Sequence, residues 1–171
     1  MQYEASEAEI TDAKHPHEIF LINLITNHIL VFVGLIGFAK TYPWVMLITP
    51  GISILVLGYI MILARSKLRT ASWYAACHWQ LCARRGMLFI GMLMALGLVV
   101  VGLLLSVGGD ASQLKPGHYA LGGVAALPTL LCILALIVME SDAMHKAKTG
   151  VVPQWLIDKY PSEDKPPIIS E

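Results

Sequence analysis

The sequence predicts an all-α, polytopic integral membrane protein, with four transmembrane helices arranged as two helical hairpins. Four apolar runs carry that expectation, at about 19–39, 44–64, 86–108 and 119–139. Each holds about 20 residues, the number a helix needs to cross about 30 Å of hydrocarbon. Charged residues make up 14% of the 171-residue chain, where soluble domains carry about a quarter. The deficit falls inside the runs. The third observation is an asymmetry of charge. Ten of the 12 Lys and Arg residues lie in segments that four crossings place on one side: Lys14, then Arg65, Lys67, Arg69, Arg84 and Arg85, then Lys146, Lys148, Lys159 and Lys165. The other side is left with Lys40 and Lys115. Positive charge close to helix ends marks the cytoplasmic face. Both termini are therefore expected in the cytoplasm, and the protein in the cell inner (plasma) membrane. Three crossings would put the central segment and the tail on opposite faces and spoil the asymmetry.

Residues 1–18 form an acidic N-terminal arm, expected on the cytoplasmic side, with Glu4, Glu7, Glu9, Asp12 and Glu18 against Lys14. It lacks the basic start, short apolar core and small-residue cleavage site of a secretory signal, so the first run is expected to remain as a helix. On that helix, Asn23, Thr26, Asn27, Gly34, Gly37 and Thr41 fall on one stripe about 100° wide when wound at 3.6 residues per turn. Small and polar residues of this kind make helix contacts in bilayers, and also line cavities or ligand contacts. His28 falls off the stripe near mid-helix. Its imidazole needs a partner on a second surface, either another helix of the chain or another subunit. Tyr42, Pro43 and Trp44 make the first outer turn, with the aromatic rings at headgroup level.

The second run carries Pro50–Gly51, Ser53 and Gly58. Residues 65–85 read as a basic cytoplasmic loop with some helical structure, either a helix lying on the membrane or continuations of helices two and three. Arg65, Lys67, Arg69, Trp73, Trp79, Arg84 and Arg85 are the expected interfacial lipid contacts. Helix three has a small-residue seam of Gly91, Ala95, Gly102 and Ser106, the second expected packing or partner face. Gly108–Gly109–Asp110 supplies the next turn. Helix four has Pro128 in its interior, a kink tolerated when neighbours satisfy the freed carbonyl. The tail, 140–171, is expected to extend helix four to Lys148, stop at Gly150, form a short turn from Pro153 to Tyr160 and end extended or disordered.

The chemistry expected is sparse. Glu18 and Glu140 sit at the edges of runs, leaving His28 as the ionisable group inside one. Cys77, His78 and Cys82 do not converge on a regular helix, and a structural zinc site takes four ligands at close repeated spacing. No metal or cofactor is therefore expected. Walker, zinc-protease, serine-elbow and paired-carboxylate patterns are missing, and no catalytic residue is expected. With a formal net charge of +0, nucleic acid is not an expected partner. The leading expectation is a non-catalytic membrane subunit that helps assemble or stabilise a larger respiratory, transport or secretion complex. Its partners are the lipid bilayer and other membrane subunits. The alternative is a small homo-oligomeric channel or carrier using the polar face of helix one. Behind these stands a b-type cytochrome or membrane enzyme.

Overall fold

Ser6 starts the first helix. Its Oγ accepts the Glu9 N–H at 3.3 Å while the Glu9 carboxylate accepts the Ser6 N–H at 2.8 Å, a reciprocal cap that satisfies two orphan donors. In the computed structural model, which describes residues 2–39 and 41–162, helix α1 accordingly runs Glu7–Ala39. It is followed by α2 (Trp44–Thr70), α3 (Trp73–Ser106), α4 (Pro116–Lys148) and the short α5 (Gln154–Lys159). The first four are long and apolar enough to cross a membrane. No strand occurs among the described residues. The protein is an all-α, multi-pass membrane protein with four such helices.

The helices reach further than the apolar runs at the basic end. The acidic arm is the first part of α1, and the basic segment 65–85 is no loop. It consists of the end of α2, two extended residues at Ala71 and Ser72, and the start of α3, which Ser72 caps by accepting the Ala75 N–H. The interfacial-helix form of this segment is thus replaced by helix continuations.

Three of the expected lipid contacts turn inward. Trp79 is buried and its Nε1 donates to Asp12 at 3.1 Å. Lys67 Nζ pairs with the same Asp12 at 2.7 Å. Arg85 reaches Glu140. Half-buried Trp73 donates to the Tyr160 carbonyl at 2.5 Å. Arg65 and Arg69 are exposed, as is Arg84, whose guanidinium lies over the Trp155 ring at 4.5 Å. Asp12 of the acidic arm supplies the counter-charge for Lys67, and Glu140 of α4 supplies it for Arg85.

α3 is central, touching α1, α2, α4 and α5. The packed core occupies the half of the bundle nearer the basic end. There Phe20, Leu24, Leu57, Ile60, Trp79 and Phe89 form one cluster. Beyond them Tyr74, Leu81, Ala143, Ala147 and Leu156 form another, closed by Tyr3 and Val152. The chain ends meet at this end. Tyr3 N–H donates to the Gly150 carbonyl at 2.8 Å, and Gln2 pairs with Val151. The arm, the α2–α3 corner and the tail therefore share one end, as four crossings require.

At the other end the turns are brief. Asp110 accepts from the Ser112 N–H and hydroxyl, which hold its carboxyl below the usual range. Lys40 and Lys165, both counted in the charge asymmetry, lie outside the described residues, as does most of the expected extended terminus after Pro161.

The tail follows expectation up to that point: α4 ends at Lys148, and Gly150 stops it at φ +75°. A Cβ at Gly150 would also run into the Tyr3 carbonyl. Gly150→Ala is expected to destabilise the chain by about 1–3 kcal/mol, seen as a lower thermal midpoint in detergent. Gly123→Ala, on an open face of α4, is expected to leave the midpoint unchanged or raise it, because alanine favours helix interiors.

Candidate functional site

Each of three helices brings an ionisable or soft side chain to the same depth, just outside its apolar run at the basic end. His17 lies on α1, Cys82 and Arg85 on α3, and Glu140 on α4. The His17 and Glu140 side chains are 0% exposed. A carboxylate so deeply buried needs charge and hydrogen bonds around it, and it has both. His17 Nδ1 donates to Glu140 Oε2 at 2.5 Å. Arg85 Nη1 donates to Glu140 Oε1 at 3.1 Å and to the Met139 carbonyl at 2.9 Å. Behind His17, its Nε2 shares a hydrogen bond with His78 Nδ1 at 3.1 Å. The ring of buried Tyr74 lies against His78, centroids 5.0 Å apart. Cys82 Sγ donates to the Pro16 carbonyl at 3.3 Å. One nitrogen, one sulfur and one oxygen, from His17, Cys82 and Glu140, lie within 4.8 Å of one another.

The Cys77–His78–Cys82 group weighed from spacing alone does not assemble. Cys77 packs instead in the cluster with Tyr3 and Tyr74. The trio that does assemble draws on residues 17, 82 and 140, which local spacing could not connect. The signal available was topological. An even number of crossings puts the ends of runs one, three and four on one side, and each run has such a residue at that end.

A second buried polar group lies deeper along α1. Residues Asn23–Val31 are wound as a π-helix, with the Phe32 N–H reaching back five residues to the Asn27 carbonyl. This winding puts residues five apart on one face, so His28 joins Asn23 and Asn27 and does not stand off their stripe. All three are buried against α2. Asn23 Nδ2 donates to Ser53 Oγ at 2.8 Å, His28 Nε2 meets the same hydroxyl at 2.9 Å, and Asn27 Nδ2 donates to the Thr49 carbonyl at 2.8 Å. Phe89 of α3 packs edge-on to His28, centroids 4.9 Å apart. The second surface His28 needs is thus another helix of its own chain.

The same winding rotates the outer part of α1 by roughly half a turn relative to a regular helix. Thr26, Gly34 and Gly37 leave the stripe and are exposed, with nothing near either glycine. Gly91, Ala95, Gly102 and Ser106 on α3 are exposed as well, with open space beside Gly91 and Gly102. No protein family, curated protein or solved structure matches this chain.

The buried and surface ion pairs should respond very differently to truncation. Glu140→Ala leaves Arg85 and His17 without their shared partner and is expected to lower stability by about 3–5 kcal/mol. Asp142→Ala breaks an exposed pair with Lys146 one helical turn on and is expected to change it by less than about 1 kcal/mol. Thermal or denaturant unfolding in micelles measures both.

Proposed function

We infer that the protein is a non-catalytic membrane subunit, set in the inner (plasma) membrane with both termini cytoplasmic. It packs within a larger respiratory, transport or secretion complex and stabilises it. One observation carries this reading. The small-residue seams at Gly34 and Gly37, and at Gly91, Ala95, Gly102 and Ser106, are exposed, and the four glycines have open space beside them among the described residues. Seams of this kind let a second helix approach closely in lipid, where packing and not hydrophobicity drives association. The outer part of α1, Phe32–Ala39, rests mainly on its own flanking segments, so a helix from another subunit has room to lie against it.

The channel reading loses its lining, because the amides and imidazole of α1 face α2 inside the same chain. A bis-histidine haem between His17 and His78 is disfavoured by their direct contact at 3.1 Å, which leaves no space for a porphyrin between the rings. The orientation rests on the positive charges gathered at the end where the termini meet.

Gly34→Leu and Gly102→Leu are expected to leave the isolated chain at least as stable, since leucine gains about 0.5–1 kcal/mol of helix propensity over glycine. Both should sharply reduce stoichiometric recovery of the larger partner in mild detergent. Ile62→Leu, an exposed apolar exchange on α2, should not. Equal recovery for all three would remove the contact faces and the reading with them.

Orientation has its own test. In intact spheroplasts, Glu4→Cys and Asp158→Cys are expected to be shielded from an impermeant maleimide, and Ser112→Cys to be labelled. The reverse pattern would invert the topology.

A further inference from the structure

We propose that His17, Cys82 and Glu140 form a binding site for one divalent transition-metal ion of the zinc class, held by three protein ligands with a fourth position open. The donor set is one imidazole nitrogen, one thiolate and one carboxylate oxygen, which suits a borderline-soft ion and is poorly suited to Mg²⁺ or Ca²⁺. The three side chains come from three helices, are fully buried, and have ligand atoms within 4.8 Å of one another. Ligands at about 2.0–2.3 Å from a tetrahedral ion sit roughly 3–4 Å apart. Binding therefore asks the His17–Glu140 pair, now at 2.5 Å, to open by about an ångström.

The surroundings distinguish this site from a plain ion pair. A ligating histidine holds its other ring nitrogen on a hydrogen-bond partner, and a ligating carboxylate is itself hydrogen-bonded. Both partners are in place. His78 Nδ1 sits on His17 Nε2, and Arg85 holds Glu140 Oε1, leaving His17 Nδ1 and Glu140 Oε2 facing each other. His78 Nε2 is buried with no hydrogen-bond partner among the described residues. It can therefore carry the His78 proton and leave Nδ1 to accept from His17.

The proton count balances. As the ion enters, the His17 proton moves from Nδ1 to Nε2 and the His78 proton moves from Nδ1, where it was donated to His17, to Nε2, so that His78 Nδ1 accepts the His17 hydrogen bond. The Cys82 thiol gives its proton to water. Thiolate, carboxylate, the Arg85 cation and the ion together leave a single positive charge, which a hydroxide in the open position balances once the bound water has given a second proton to bulk water. Arg85, with a side chain 16% exposed, marks the approach from the basic end.

The test uses the full chain in detergent micelles, stripped with a chelator and titrated first with Co²⁺ and then with Zn²⁺. The expected result is about one Co²⁺ per chain, with thiolate-to-cobalt charge-transfer absorption that Zn²⁺ abolishes. The absorption should vanish in Cys82→Ser and persist in Cys132→Ser. In His78→Asn the affinity should fall about 10–100-fold. No charge-transfer absorption at millimolar Co²⁺ would mean a hydrogen-bonded ion cluster only and would overturn the proposal, as would absorption that survives Cys82→Ser. Should Cys82→Ser fail to accumulate, X-ray absorption on the zinc-loaded wild type decides. A single sulfur at about 2.3 Å supports the site, and none, or two, refutes it.

Discussion

Glu140 has no contact with water, and the positions of α1, α3 and α4 follow from how that carboxylate is met. His17 approaches one oxygen and Arg85 the other, so the charge is neutralised only while three helices hold their rotation and depth. A buried pair of this kind adds little net stability over a well-packed apolar core, yet losing one partner is severe. It therefore acts chiefly on register, since sliding any of the three helices by a residue would strand a charge. The neighbouring contacts repeat the logic at lower cost. Asp12 serves Lys67 and Trp79 together, tying α1 to both sides of the α2–α3 corner.

The π-wound stretch of α1 sets the other half of the design. It turns Asn23, Asn27 and His28 to a single partner helix, where Ser53 and the Thr49 carbonyl meet them, and leaves the glycines that follow facing outward. Most polar groups that would be expensive in hydrocarbon find partners within the chain, while Asn27 Oδ1 and Thr49 Oγ1 are buried without one among the described residues. The outward surface of α1 is mainly small and apolar, with Leu30, Val33, Gly34, Ile36, Gly37 and Phe38 exposed, a division suited to a helix bundle that presents seams to lipid or to a neighbouring subunit.

The spans, their number and the common end of the two termini were legible in the sequence, because hydropathy and charge bias act through composition over long windows. Three things were not. The reach of the first helix back to Glu7, and the choice of helix continuations over a surface helix at 65–85, depend on caps at Ser6 and Ser72, each a local signal that apolar runs overshadow. The facing of Gly34, Gly37 and His28 depends on a change of helical pitch, which a projection at constant angle cannot contain. The meeting of His17, Cys82 and Glu140 depends on contacts across as many as 123 residues, where single-helix spacing carries no information. Glu140 looked like an edge residue because it lies one place beyond an apolar run, and that edge is where the helices converge.

The clasp between Tyr3 and Gly150 joins the segment before α1 to the segment after α4. Until α4 has entered the bilayer, His17 has no carboxylate to meet and Tyr3 no carbonyl to clasp, although Asp12 already has Lys67 and Trp79 to pair with. Closure of the basic end thus waits for α4. A chain whose α4 is not yet inserted would leave His17 Nδ1 and the Tyr3 N–H without these partners, a recognisable mark of unfinished insertion.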